Sequence, residues 1–180
     1  MADDTATIDL TLSELRQVTG YTVACAQPAL AIFEAECPGD ERAGAALDTA
    51  QAFADGADRT KLLRDHAFAA HRAAQETRDA GRPAASEAAR ASADCCGAAY
   101  LHPLAKATQV KHILGAAAHT ARAFELAAGD DPAVAAGYVA RARDLVDPVV
   151  VDVLRRYPPA PSGGGRVGEL IRQLDALLRA

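Results

Sequence analysis

Alanine-rich segments separated by proline and glycine constrain the fold of this chain more than any other feature. Hydrophobic residues make up 50% of its 180 residues, and Ala supplies about half of them. Ala is the best helix former because it loses no side-chain entropy in a helix. Aromatic residues, which favour strands, are few: Trp is absent, and Phe and Tyr number four each. The sequence therefore predicts an all-α fold.

Capping residues and helix breakers divide the chain into seven to eight helices. Thr11 and Glu14 have the spacing of a capping box, which predicts the start of the first helix. Asp131 and Asp147 each precede a proline, a pattern typical of an N-cap followed by the first helical residue. Further helices are predicted to begin at Asp40, at Asp58, at Pro83 and after Pro103.

These boundaries predict a single-domain helical bundle with a separate C-terminal helix. We expect a flexible acidic N-terminus at residues 1–10 and an all-helical domain at residues 11–157. Residues 158–165 are rich in proline and glycine and predict a linker. Residues 166–180 follow as an amphipathic helix that is too short to be stable alone in water. It must therefore dock on the body or on a partner chain.

The cysteines and carboxylates predict no metal or cofactor. The four cysteines stand at positions 25, 37, 95 and 96, and no pair has the C-x-x-C spacing. We expect them to be buried thiols that need no further role. Acidic residues are scattered at positions that suggest helix caps and solvent-exposed faces. The sequence also lacks a P-loop, a G-x-S-x-G elbow and an H-E-x-x-H motif.

The charge balance and the absence of long apolar runs exclude several classes of function. The net charge is −5, whereas proteins that bind nucleic-acid phosphates normally present a cationic surface. No apolar run approaches the ~20 residues of a membrane span. The start, MADDTATIDL, lacks the basic and apolar regions of a signal peptide. We therefore expect a cytoplasmic protein that binds neither nucleic acid nor membranes.

Histidines on two predicted helices are the candidates for chemistry. His66 lies at the centre of an apolar helix face and is predicted to be a core residue bonded to a neighbour. His71, beside Arg64, lies at the edge of that face and suits either a partly exposed polar site or a helix contact. In the segment HILGAAAH, His112 and His119 are about 10.5 Å apart along the axis, too far to share one metal ion.

Small residues between these two histidines leave two interpretations open. Gly and Ala allow another helix to approach closely, but they also leave space for a ligand groove. If the face borders a cleft, imidazoles with near-neutral pKa values can serve there as acid, base or ligand. The residues predicted to surround this cleft or a partner-binding site are Arg64, His71, Lys111, His112 and His119.

Several segments resemble one known family. ALAIFEAECPGDERAGAALDTAQAFADG, AAHRAA, SEAARASADCCGAA and HILGAAAHTARA, within residues 12 to 128, are similar to the fifth immunity-protein class of bacterial polymorphic toxin systems. Members of this class are sometimes labelled SbcC-like exonuclease. The motifs that match are Phe33-Glu34, Pro38 to Asp40, Ala69 to His71, and His112 to Ala117.

The resemblance implies an all-helical cytoplasmic protein that neutralises a toxin, such as a nuclease, by direct binding and without catalysis. Exonuclease activity would require clustered carboxylates for metal, which the sequence does not show. Two alternatives remain open at this point. One is a small-molecule enzyme or ligand-binding protein that uses the histidine-bearing cleft. The other is an oligomeric helical scaffold, for example a homodimer that exchanges its C-terminal helix.

Overall fold

The computed structural model describes residues 6–180, which form an all-α fold with no strand in that range. A 3-10 turn at Gln27–Ala29, which contains Pro28, joins the first two helices into one bent helix. Counted in this way, the described residues contain eight helices, and the predicted all-α bundle is confirmed. The helices are α1 (Leu12–Ala26), α2 (Leu30–Glu36), α3 (Arg42–Ala54), α4 (Lys61–Asp79), α5 (Pro83–Ala98), α6 (Val110–Ala127), α7 (Pro132–Asp144), α8 (Pro148–Arg155) and α9 (Gly165–Arg179).

Three helices begin with the caps that the sequence predicts. The Thr11 hydroxyl accepts a hydrogen bond from the Glu14 amide, and the Glu14 carboxylate accepts one from the Thr11 amide. The side chains of Asp131 and Asp147 each accept a hydrogen bond from the backbone amide two residues further on. These side chains satisfy amides that the first turn of a helix otherwise leaves unpaired.

Two predicted N-caps were wrong, and one helix begins later than the proline before it indicates. Helix α3 begins at Arg42 after Glu41, so Asp40 is not its N-cap, although Asp40 accepts a hydrogen bond from the Arg42 amide. Helix α4 begins at Lys61 after Thr60, so Asp58 is not its N-cap. Helix α6 begins only at Val110, because the chain before it is held in an extended contact with the N-terminal segment. There the Ile8 amide donates to the Pro103 carbonyl at 2.8 Å. Of the predicted flexible N-terminus, residues 1–5 lie outside the described part.

Helix α5 lies at the centre of the bundle and packs against α1, α2, α3, α4 and α6. Its packing surface consists mainly of small side chains, which let the neighbouring helices approach closely. The buried alanines of α5 are Ala84, Ala85, Ala88, Ala89, Ala91, Ala93 and Ala98. Larger side chains fill the core around this helix, among them Leu47, Phe53, Ile113 and Leu114, each at most 2% exposed.

Helix α9 packs on α6 and α7 of the same chain through Leu170, Leu174 and Leu178, all buried. The buried carboxylate of Asp175 accepts hydrogen bonds from the Ala160 amide at 2.9 Å and from the Arg179 guanidinium at 2.7 Å. The predicted linker is thereby attached to the helix that follows it.

Candidate functional site

A cleft of about 860 Å³ opens between α4, α5, α6 and the segment that leads into α9. A volume of this size falls within the range of ligand-binding pockets. Most of its polar side chains come from these three helices, and Gly163 and Gly164 of the linker form part of the opposite wall. The polar side chains that line it are His71, Arg78, Ser86, Glu87, Arg90, Asp94, Thr108, Lys111, His112, His119, Arg122 and Ser162.

Four of the five candidate residues lie at this cleft, and one does not. His71 comes from α4, whereas Lys111, His112 and His119 come from α6. The guanidinium of Arg64 lies elsewhere, 4.6 Å from the centre of the Tyr100 ring in a separate surface hollow. The structure therefore brings together the histidines of two helices and leaves Arg64 apart from them.

His119 lies between two carboxylates of α5. Its Nδ1 is 2.5 Å from Glu87 Oε2, its Nε2 is 3.6 Å from Asp94 Oδ2, and its side chain is 18% exposed. Burial lowers the pKa of His119, but the Glu87 hydrogen bond and the two carboxylate charges raise this pKa by more. The pKa therefore lies above its ordinary value, which favours a protonated imidazolium that holds both carboxylates in place.

Two glycines leave room for polar side chains between α5 and α6. A Cβ atom at Gly115 of α6 would lie 2.5 Å from Asp94 Oδ2, so only glycine leaves room for this carboxylate. On α5, a Cβ at Gly97 would lie 3.4 Å from His112 Nδ1. The small residues of HILGAAAH thus allow α5 to pack closely against α6 and also border the cleft. Close helix packing and a groove therefore occur at the same segment.

Basic side chains outnumber carboxylates in the lining of the cleft, which gives it a surplus of positive charge. Burial is the main cause that lowers the pKa of His112, and the nearby Lys111 lowers it further. The described residues provide no ion-pair partner for Lys111 or Arg90, whereas Arg122 pairs with Glu125 at 2.9 Å. Free cations in a concave site are suited to an anionic group of a ligand or partner.

Sequence reasoning missed Glu87 and Asp94, because acidic residues were expected at caps and on solvent-exposed faces. That expectation was wrong for these two residues and also for Glu125 and Asp175, which are 2% and 3% exposed. The carboxylates of α5 became part of the site only through its packing against α6. One pattern could have indicated them: Glu87 and Asp94 are seven residues apart, as are His112 and His119.

The cysteines form no additional site in the described part of the chain. All four are free thiols, and Cys25, Cys95 and Cys96 are buried. Burial raises the pKa of Cys25 and that of Cys96 to about 12, which keeps both thiols protonated at neutral pH. Within residues 6–180, no group of three or more His, Cys, Asp or Glu side chains is arranged to hold a metal ion.

The fold and the site define an alanine-rich helical bundle with a histidine-bearing cleft. The family model described as "Imm-5 like putative immunity protein" matches residues 9–147, more than three quarters of the chain. The chain belongs to this family, and the resemblance seen in the sequence is confirmed. No curated protein and no solved structure matches the chain. Among the described helices, none is long and apolar enough to span a membrane.

The family match ends before α8, so the C-terminal segment lies outside it. This segment nevertheless contributes Gly163, Gly164, Val167 and Ile171 to the cleft. One wall of the cleft is thus made by a part of the chain that the family model does not cover.

Proposed function

We propose that this chain neutralises a bacterial toxin by binding directly to it, without catalysing a reaction. The observation that carries this proposal is the match to a family of immunity proteins over residues 9–147. We place the encounter with the toxin in the cytoplasm, as the resemblance to immunity proteins implies. The chain would meet its toxin there as a folded, pre-formed binding partner.

The charge of the chain supports a protein partner. A net charge of −5 attracts a basic toxin, such as a nuclease, and speeds the encounter of the two proteins. The effect acts over about 8 Å at physiological salt, so it governs the approach rather than the final contacts. We therefore expect association with a basic toxin to become slower as salt is added.

Co-expression with each toxin-like gene that neighbours the gene for this chain tests the proposal. We expect growth to be restored for one of these toxins, and the purified chain to bind a catalytically inactivated form of it with a defined stoichiometry. The full chain with helix-breaking prolines in α6 is the matched negative control. Failure to protect against every neighbouring toxin would contradict the proposal.

A second candidate function is the binding of a small anionic ligand in the cleft. The observation that favours it is the presence of Lys111 and Arg90 in the cleft without an ion-pair partner in the described residues. His71 and His112 lie beside them and can donate or accept hydrogen bonds. This arrangement fits a compact phosphate or carboxylate compound better than a neutral one.

Thermal unfolding in the presence of phosphate, citrate or adenosine monophosphate tests this second function. A ligand that binds only the folded chain raises its Tm with concentration. We expect Lys111→Ala to abolish the increase, whereas Lys61→Ala, which removes an exposed cation that does not line the cleft, keeps it. Equal responses of the two variants, or unchanged responses after His112→Ala and His119→Ala, would exclude the cleft as the binding site.

A further inference from the structure

The lining of the cleft changes from polar to apolar along α6. Lys111 lies in the first turn of this helix, His119 lies in its middle and Leu126 lies in its last turn. At 1.5 Å per residue, about 10.5 Å of helix separates His119 from Leu126. A ligand that lies along α6 therefore meets different side chains at its two ends.

Two cations that have no ion-pair partner among the described residues lie together, and we call the region of His71, Arg90 and Lys111 the polar end. Burial lowers the pKa of His71 most, and the charges of Arg90 and Lys111 lower it further, so both cations lie near this ring. The Asp94 carboxylate acts on His71 in the opposite direction, but it already faces His119 Nε2 at 3.6 Å. An anionic group placed beside His71 is therefore attracted by both cations.

The other two arginines that line the cleft are already paired. Arg122 binds the Glu125 carboxylate at 2.9 Å and also binds that of Asp130. Arg78 binds the Asp79 carboxylate at 3.2 Å. Neither arginine offers an unpaired charge to a ligand, so the charged group of an anion is drawn to the polar end.

Apolar side chains gather on another part of the lining, which we call the apolar wall: Leu126 of α6 with Val167 and Ile171 of α9. Val167 and Ile171 lie one turn apart and pack against the core, but both are only partly buried and keep surface that faces the cleft. Arg166 fixes this part of α9 to α6 because it binds the Glu125 carboxylate at 2.7 Å. The cleft therefore offers a ligand a surface for hydrophobic burial as well as two cations.

We propose that the cleft binds an amphipathic organic anion, whose phosphate or carboxylate head group pairs with Arg90 and Lys111 and whose apolar body packs against the apolar wall. This inference rests on the second proposed function, anion binding in the cleft, and adds to it the class of ligand. A cleft of about 860 Å³ has room for both parts. Because α9 supplies most of the apolar wall, the part of the chain outside the family match selects the ligand.

A series of alkyl phosphates tests the proposal on the full chain. Titration calorimetry compares inorganic phosphate with ethyl, butyl and octyl phosphate, each below the concentration at which it forms micelles. A fully buried CH₂ group lowers the Kd ~4-fold. Partial burial of the octyl chain should therefore lower the Kd by at least ~10-fold relative to ethyl phosphate. Octanoate and acetate give the same comparison for a carboxylate head group.

Two sets of variants assign the contacts. Val167→Thr combined with Ile171→Thr places hydroxyl groups on the apolar wall, which should raise the Kd of octyl phosphate ~10-fold and that of inorganic phosphate by less than ~2-fold. Lys111→Ala should raise both Kd values at least ~5-fold. The matched control is Leu177→Thr, at a residue of α9 that is 44% exposed and does not line the cleft. It should leave both Kd values unchanged, and circular dichroism checks that every variant is folded.

The outcomes separate failure of the ligand class from failure of anion binding. If octyl phosphate binds no more tightly than inorganic phosphate and both require Lys111, the apolar body is wrong and anion binding in the cleft stands. If no anion binds the wild-type chain, this proposal and the second proposed function both fall. If the affinity increases with chain length but survives both sets of variants, the alkyl chain adsorbs elsewhere and the proposal is overturned. Tighter binding of octanoate than of octyl phosphate supports the proposal, with a carboxylate as the head group.

Discussion

We call the exposed side of α4 that carries Lys61, Arg64, Phe68 and Arg72 the α4 outer face. The cleft and the α4 outer face both combine cations with aromatic or imidazole rings, but they differ in what else depends on those side chains. In the cleft, His119, Glu87 and Asp94 join α5 to α6 and occupy space that Gly115 leaves open. On the α4 outer face, Phe68 and Arg64 support no helix contact of comparable extent. Substitutions in the cleft therefore affect stability together with any function, whereas substitutions on the α4 outer face leave the helix contacts of the bundle intact.

The largest effect should follow from filling the space beside Asp94. We expect Gly115→Val to destabilise the chain by about 2 kcal/mol, because its new side chain must displace the Asp94 carboxylate or separate two packed helices. Urea unfolding measures the change. Gly137→Val is the control, since a Cβ at that exposed helical glycine meets no other atom within 4 Å. Equal stability of Gly115→Val and the wild type would show that the close approach is not required.

A smaller loss of stability should follow from removal of the buried charge that holds α9 in place. The buried Glu125 carboxylate binds Arg122 at 2.9 Å and Arg166 at 2.7 Å. We expect Glu125→Gln to cost about 1–2 kcal/mol and to speed hydrogen exchange in α9, which forms a wall of the cleft. Glu169→Gln is the control, because that carboxylate also binds Arg166 but is 55% exposed. Similar losses from both variants would contradict the assigned role of burial.

The pH dependence of stability should distinguish the two regions further. The folded-state pKa of His119 is raised, so its contribution is complete below its unfolded pKa and is lost as the pH rises through the folded pKa. We therefore expect the free energy of unfolding to fall as the pH rises above the ordinary histidine pKa of about 6.5. His119→Gln and Glu87→Gln should both flatten this decline. A decline of unchanged slope in His119→Gln would assign it to another group.

The smallest effect on stability should come from the α4 outer face. We expect Phe68→Ala and Arg64→Ala to change the free energy of unfolding by no more than about 0.5 kcal/mol, because both side chains are exposed. Thermal and urea unfolding of the purified variants check this. A loss as large as that of Gly115→Val would mean that this face supports the fold and would remove the contrast with the cleft.

Local features of the fold could be predicted from the sequence, because the physics that sets them is also local. Asp131 and Asp147 cap the helices that follow them through amides only two residues away. The hydrogen bonding of His66 to a neighbour was also predicted: its Nδ1 lies 2.6 Å from the Thr49 hydroxyl and 3.1 Å from the Ala45 carbonyl. His66 is only half-buried, however, because the buried side of α4 is centred on other residues. The late start of α6 depends on pairing with a distant segment, which periodicity cannot show.

For the same reason, only part of the candidate site could be predicted from the sequence. The periodicity of α6 placed His112 and His119 on one face, and the structure places both at the cleft. The seven-residue spacing of Glu87 and Asp94 was the one local signal on α5, and it gains a meaning only where α5 packs against α6. Arg64 was grouped with His71 from their position on one helix, yet it lies over Tyr100 instead.

The pairing of Glu125 with two arginines has a consequence for the order in which the chain is made. Arg122 precedes Glu125 by three residues, whereas Arg166 follows it by 41. At a translation rate of ~5–20 residues per second, the ribosome adds Arg166 about 2–8 s after Glu125. Until Arg166 has been added, Arg122 alone can neutralise the carboxylate. Helix α6 therefore carries its own counter-ion before the last helix of the chain is made.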